Sequence, residues 1–278
     1  MITADVILLC YNQEQFIEKA LRSIYAQEVS KDVSVRILVA DDCSQDSTLD
    51  IIKRIASESP YPIEILPKEA NLGISKNYRR SFAAATADYV LILEGDDWWE
   101  AKTHIMQHVL FLEGHKECSM SMNRFYGIST TKNEMNVSPW RCKDDFYTID
   151  LQKQIAVGNQ LGNLSACCFR SKHLHQLQEE MYAIHVDDYL LGIMMARMGN
   201  IAILKDPTSV YRSNPNSMWA SLSLFGQYRR NLYFAKTYDE FLNGEYHDLW
   251  VKYKKNLRWE LWIEIKKRIA HTITGKNK

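Results

Sequence analysis

Apolar positions in the first hundred residues alternate between two periods. Residues 5–10, apolar without a break from Val6 to Cys10, have the pattern of a buried strand. Within 14–27, Phe16, Ile17, Ala20, Leu21 and Ile24 recur at helical spacing. Residues 33–40 form a second strand-like run. The next helical face is Leu49, Ile52, Ile55 and Ala56, with Ser44 or Asp46 placed to cap it. Pro60 and Pro62 close that helix, 63–66 is a third strand, and Asn71-Leu72-Gly73 is a turn. Ser75 stands where it could cap a helix running to residue 85, and 89–93 is a fourth strand. This alternation predicts a parallel sheet with helices on both faces. The second half is less regular. It predicts helices over 101–113, 186–197 and most of 222–272, and strand-like segments at 119–126, 164–170, 201–205 and 209–212. A loop is expected at 143–150, and there is no internal repeat or low-complexity segment.

Ligands of such sheets bind beyond the carboxyl ends of the strands. The polar residues there are Tyr11-Asn12, Asp41-Asp42 and Glu94-Gly95-Asp96-Asp97. Converging carboxylates repel one another, and a bound cation offsets that cost. Mg²⁺ or Mn²⁺ prefers one or two carboxylates together with phosphate oxygens and water. One Asp-Asp pair reads as loop acids facing water, but two pairs at the ligand edge of one sheet point to function. Other chemistries find no support: there is no G-x-G-x-x-G after the first strand and no G-x-x-x-x-G-K-[ST]. H-E-x-x-H and G-x-S-x-G are also missing. A phosphate-bearing ligand would therefore rely on metal, basic side chains and helix N-termini.

The composition of the 278 residues, 46% hydrophobic and 24% charged, excludes wholesale disorder. A net charge of zero argues against a whole-protein polycation built for nucleic acid. The charge is uneven, since residues 250–278 carry nine Lys/Arg against two acids. On a helical projection Trp250, Tyr253, Leu257, Leu261, Ile265 and Ile269 form one stripe, while Trp259 and Ile263 fall on the far side. Two readings stand: peripheral contact of 250–272 with an anionic membrane, or a helix packed by its stripe on the rest of the chain. Six cysteines without any C-x-x-C pair read as reduced thiols, not a disulfide framework or zinc site. With no stretch of 18 apolar residues, no transmembrane helix is expected, and residues 6–10 are too short for a signal-peptide core. These features suggest a cytoplasmic protein, peripheral at the inner face of the membrane if the tail docks there.

Several motifs, in order, resemble glycosyltransferase family 2, the inverting nucleotide-sugar enzymes of GT-A fold. They begin with residues 7–12, ending in Tyr-Asn, and continue through Phe16-Ile17-Glu18-Lys19-Ala20-Leu21-Arg22-Ser23-Ile24. Val39-Ala40-Asp41-Asp42-Cys43-Ser44-Gln45-Asp46-Ser47-Thr48 is similar to the family's V-D-D-x-S-x-D-x-T, and Asn71-Leu72-Gly73-Ile74-Ser75-Lys76-Asn77 to its N-x-G turn. Glu94-Gly95-Asp96-Asp97-Trp98-Trp99 resembles the acidic metal motif. Asp187-Asp188 followed by Gly199-Asn200 resembles the catalytic-base segment, and Tyr211-Arg212-Ser213-Asn214 with Trp219 the Y-R-x-H element. The resemblance covers 5–221.

What it implies is an α/β GT-A fold, a mixed, mostly parallel sheet flanked by helices. The catalytic domain would span 1–221, with a nucleotide-binding half near 1–100 and an acceptor half near 101–221. A basic helical extension would occupy 222–278. Tyr11 would pack beside the base, Asp42 would hydrogen-bond it, Lys76 would reach the nucleotide or its phosphates, and Asp96 would contact the ribose. Asp97 would bind a divalent metal, Mn²⁺ or Mg²⁺, and Asp188 would be the general base. Glu94, Asn163, Asp187, Arg212, Asn214 and Trp219 are candidates for the donor or acceptor pocket. Two departures stand out: Glu94 opens the acidic motif where Asp is frequent, and Asn214 replaces the usual His. From spacing alone, Asp187 and Asp188 could equally be helix-capping acids.

The implied activity is metal-dependent inverting hexosyl transfer from an NDP-sugar, most simply a UDP-sugar, to a glycan or lipid-linked saccharide. The alternatives are a sugar-phosphate nucleotidyltransferase, or a degenerate, membrane-docked nucleotide-binding subunit without activity. Trp98, Trp99, Trp140 and Trp219 could stack on sugars or simply fill the core. The polar segment 158–165, with Asn159, Gln160 and Asn163, could line the sugar pocket or be plain loop. His173, His175 and His185 lack metal-ligand spacing and read as surface or helix residues.

Overall fold

A computed structural model describes residues 1–129, 135–138, 142–213 and 221–273. The first strand, β1 (Ile2–Cys10), is buried from Ala4 onward, because helices cover the sheet on both sides. The chain continues through α1 (Ile17–Tyr25), β2 (Val33–Asp41), α2 (Thr48–Ile55), β3 (Ile63–Ile65), α3 (Ile74–Ala84) and β4 (Tyr89–Glu94). These four strands pair in parallel in the order β3-β2-β1-β4, as the alternating pattern predicts. All four carboxyl ends therefore open on one edge.

The second half is β5 (Trp98–Trp99), α4 (His104–Gly114), β6 (Cys118–Ser129), β7 (Met135–Val137), β8 (Phe146–Ile149), α5 (Leu151–Val157), β9 (Cys167–Arg170), α6 (Ser171–Leu174), α7 (Asp188–Ala196), β10 (Asn200–Ser213), α8 (Leu224–Phe241) and α9 (His247–Ile273). The sheet extends from β4 through β9, β6 and β10 to β5. β9 runs antiparallel to both of its neighbours, and β10 parallel to β6. β7 and β8 pair antiparallel on β6 and β10.

Alternate side chains of β1 enter different cores. Val6, Leu8 and Cys10 pack with Ile17, Ile24, Ile52 and Ile105 of α1, α2 and α4. Ile7 and Leu9 join a larger cluster that holds Tyr78 and Phe82 of α3, Leu190 and Leu191 of α7, and Trp250 of α9. The first half of the α9 stripe, Trp250, Tyr253 and Leu257, is buried in that cluster, while Ile269 is exposed. No described helix is long and apolar enough to cross a membrane.

Several elements depart from the sequence pattern. The expected loop at 143–150 contains β8, four residues between charged neighbours, too short for alternation to register. Residues 201–205 and 209–212 belong to one strand, β10, whose pairing slips between Leu204 and Ser209. Pro207 lies in that slip, where a missing N–H is tolerated. Ser75 does not cap α3. Gly73, at φ +76°, takes that position, and the Ser75 hydroxyl donates to the Ile184 carbonyl while accepting the Val186 N–H. Of the two candidates before α2, Asp46 bonds the Thr48 N–H at 3.0 Å, whereas Ser44 turns to Asp41.

Candidate functional site

Three strand ends build the site. After β1 the backbone turns through Asn12 at φ 52°, a left-handed conformation that Asn tolerates. Asn12 accepts the Gln45 N–H at 2.7 Å, which ties this turn to the one after β2. Tyr11 is left 46% exposed at the mouth of a cleft.

The two aspartates after β2 have separate tasks. Asp41, expected among the converging acids, is fully buried and turns inward to pair with Lys68 and the Ser44 hydroxyl. It therefore does not join the cleft. Asp42 does, and its two oxygens accept the Leu72 and Gly73 N–H groups at 2.8 Å each. That bracket fixes the turn leading into α3. Lys76, one turn further along, is exposed and does not line the cleft.

At the end of β4, Gly95 allows a close approach. A Cβ there would collide with the Gln13 amide oxygen and lie 2.9 Å from the Ile17 side chain. Asp96 accepts a hydrogen bond from Gln13 Nε2 at 3.2 Å. Asp97 is buried, with one oxygen accepting from the Ser165 hydroxyl at 2.7 Å and the other from the Arg212 N–H at 2.8 Å. Arg212 Nε donates to the Asp96 carbonyl at 2.9 Å, and its guanidinium lies 4.3 Å from the Phe16 ring centre. The acidic loop and the end of β10 are thus joined at two points.

The resulting cleft of about 480 Å³ is lined by Tyr11, Gln13, Asp42, Asn71, Asn77, Glu94 and Asp96, among others. Its size falls within the range for small-molecule sites. A second cavity of about 410 Å³ is lined by Asn159, His185, Asp187, Asp188, Tyr211, Arg230 and Phe234. Asp187 caps α7 by accepting the Leu190 N–H at 2.9 Å, and it also accepts from the Tyr238 hydroxyl. Asp188 accepts from Asn159 Nδ2 at 2.8 Å and from its neighbour's N–H, Tyr189, at 3.0 Å.

Electrostatics links the two spaces. Burial pushes Glu94 up to about 8, reinforced by the charges of Asp96 and Asp188. Burial and the adjacent Asp187 raise Asp188 to about 6. Asp96 and Asp97 are also raised, chiefly by burial. Four carboxyl groups thus face a poorly solvated region, with an unfavourable mutual charge.

Hard oxygen donors of this kind suit Mg²⁺ or Mn²⁺. Among the described residues no three His, Cys, Asp or Glu side chains converge as a ready ligand set. The arrangement fits a cation that takes one or two carboxylates here and completes its shell with ligand phosphates and water. Each Asp97 oxygen accepts one hydrogen bond and retains lone-pair capacity.

Other expected residues have structural places. Asn163 is buried and accepts the Ser165 N–H at 2.9 Å, fixing the turn that presents Ser165 to Asp97. Trp98 and Trp99 are buried, and Trp99 stacks on His104 at 4.4 Å, so both act in packing. Asn214, Trp219 and Trp140 lie outside the described residues. His185, expected as a surface or helix residue, stacks on Phe234 at 5.5 Å beside the two aspartates. Sequence reasoning missed Gln13, Tyr238 and Arg230. Their amide, phenol and guanidinium gain meaning only when distant segments meet, and their local patterns carry no signal.

A GT-A architecture accounts for this sheet order with acidic strand ends around one cleft. The chain belongs to glycosyltransferase family 2, whose family pattern, Glycosyl transferase family 2, matches residues 5–192. A dTDP-rhamnosyl transferase, RfbG of Shigella flexneri, is 25% identical over 260 residues, 87% of this chain and 85% of that protein. An uncharacterized Mycobacterium tuberculosis protein is 26% identical over 221 residues, covering 78% of this chain but only 60% of its own length. Among solved structures, Staphylococcus aureus TarS 1–349 with UDP-GlcNAc superimposes at TM-score 0.61 and 21% identity, over 84% of this chain and 66% of that one. The mannosyltransferase PcManGT of Pyrobaculum calidifontis, with GDP-Man and Mn²⁺, gives TM-score 0.63 and 16% identity, over 99% and 76%.

Proposed function

We propose that this chain transfers a sugar from a nucleoside-diphosphate donor to an acceptor hydroxyl with inversion, with Asp188 as the general base. The observation that carries the reading is Asp188 itself. It is a partly buried carboxylate raised to about 6, oriented by Asn159, in a cavity whose charge is felt by Glu94 in the neighbouring cleft. A base is most useful when its pKa lies near the working pH.

In this reading the cleft holds the nucleotide. Tyr11 packs beside the base, Asp42 lies within reach of it, and Asp96 meets the ribose. The acceptor enters the Asp188 cavity. Its hydroxyl gives its proton to Asp188 as the oxygen bonds to the anomeric carbon. The bond from that carbon to the diphosphate breaks from the opposite side, and the electron pair leaves with the nucleotide. A divalent ion held by Asp97, and by Asp96 or Glu94, would neutralise the charge gathering on the diphosphate. Lys76 is an outer contact for phosphate.

A UDP-sugar is the favoured donor, supported by the UDP and UDP-GlcNAc held by TarS. A glycan or lipid-linked saccharide acceptor, in cell-surface polysaccharide synthesis, is supported by the relatives named as a rhamnosyl transferase and a poly(ribitol-phosphate) N-acetylglucosaminyltransferase. The test is calorimetric binding of UDP, GDP, ADP and CMP with Mn²⁺ and with EDTA, beside transfer assays of Asp188→Asn. We expect one nucleotide to bind in a metal-dependent way, with binding retained and transfer lost in the variant. Turnover by Asp188→Asn would overturn the assignment of the base.

A further inference from the structure

α9 shows two unlike sides. Its packed side buries Trp250, Tyr253 and Leu257 against the body. Glu260 and Glu264, the two acids between residues 251 and 269, line the groove shared with α8. The opposite side carries Val251, Trp259, Trp262 and Ile269, all exposed, with Trp259 at 60% and Trp262 at 46%. Lys252, Lys255, Arg258 and Lys266 are interleaved with them and are also exposed. At 3.6 residues per turn these eight positions share an arc of roughly 120° along about 27 Å of helix.

Within that stretch the arc contains no acid. Asp248, in the first turn, is the nearest one on that side. The two tryptophans stack at 5.1 Å, and Lys266 Nζ lies 3.5 Å from the Trp262 ring centre. The apolar stripe evident in the sequence thus faces inward along its first half, and a separate aromatic and basic face looks outward.

We propose that this outer face of α9 docks on an anionic lipid bilayer. Charge complementarity selects the occupant. Four cations with no acid among them would repel a basic partner and match phosphate headgroups, and each basic residue near such a surface adds attraction. Stacked indoles on an in-plane helix enter the boundary between headgroups and acyl chains, where amphipathic rings are favoured. No described helix can span a bilayer, so the contact is peripheral. The proposal stands independently of the transfer reaction.

Flotation of the full chain with phosphatidylcholine vesicles, with and without phosphatidylglycerol, tests it. We expect binding to the anionic vesicles alone, and release at raised salt. Trp259→Ala with Trp262→Ala, and separately Lys255→Glu with Lys266→Glu, should each lower partitioning by about tenfold or more. Quenching of tryptophan emission by brominated lipid should vanish in the double alanine variant. Both variants should keep the wild-type melting temperature, since these side chains are exposed. No flotation, equal flotation with neutral vesicles, or unchanged flotation of both variants would overturn the proposal. So would a dimer that the alanine pair dissolves while flotation stays absent.

Discussion

Asp188 is raised to about 6 by burial and by Asp187, while Asn159 and the Tyr189 N–H pull it down. As the proposed base it must be ionised, so transfer should fall below pH 6, approaching tenfold per unit. Asn159→Ala removes a donor that favours the charged form, so the acid limb of the rate profile should move to higher pH. A limb that stays in place would mean that Asn159 does not hold this carboxylate. The same shift has a stability sign. A carboxyl whose folded pKa lies above its unfolded value of 3.8 loses stabilisation as pH rises through that window to about 6. Asp188→Asn should therefore be more stable than wild type at pH 8, by about 1–3 kcal/mol, with little difference at pH 4. Thermal melts at both pH values measure it. In the sequence Asp188 was singled out by the family resemblance, because an Asp-Asp pair at a helix start reads equally well as capping acids. Asn159 drew notice only as part of a polar stretch, since its bond to Asp188 spans 29 residues of chain.

The acidic loop depends on an element that offers no chemistry of its own. Gly95 sits where a Cβ would meet Ile17, Cys10 and Gln13. Gln13 can swing aside, but Ile17 and Cys10 are buried in the core of α1 and β1. Gly95→Ala should cost about 1–3 kcal/mol by overpacking, measured by urea unfolding, and should weaken nucleotide binding by displacing Asp96. An unchanged midpoint would show that α1 gives way freely. At the other end of the chain, Trp250 is fully buried among Tyr189, Tyr238 and Tyr253. Trp250→Ala should cost about 3–5 kcal/mol and loosen α7, which begins at Asp188 and is capped by Asp187. The first four strands were legible because short, largely apolar runs alternate with helical faces in one repeated order. β8 and the single long β10 were not. Their pairing is decided by neighbours far along the chain, and local pattern records only what a residue's own burial demands.

Across the whole molecule the sheet divides two tasks. Its β1–β4 half gathers Asp42, Glu94 and Asp96 at one edge, while its other half brings Ser165 and Arg212 to hold Asp97 from behind. The strand ends were legible as a ligand edge. The inward turn of Asp41 toward Lys68 was not, because a pair of adjacent aspartates does not reveal which one faces the cleft. Carboxyl groups crowded this way are relieved by a ligand that brings positive charge. The nucleotide with Mn²⁺ should therefore stabilise the fold, by about 2.7 kcal/mol at a hundredfold excess over Kd, or an upward shift of about 5–10 °C in Tm. EDTA should remove most of that gain. Asp188→Asn should keep it, since the proposed reaction places Asp188 at the acceptor and not at the nucleotide. Asp97→Asn should lose much of it, since this buried carboxylate, bonded by the Ser165 hydroxyl and the Arg212 N–H, is the group proposed to hold the cation. Equal losses in the two variants would mean that both aspartates serve nucleotide binding, and the base would then have to be sought elsewhere in the Tyr211–Arg230 cavity.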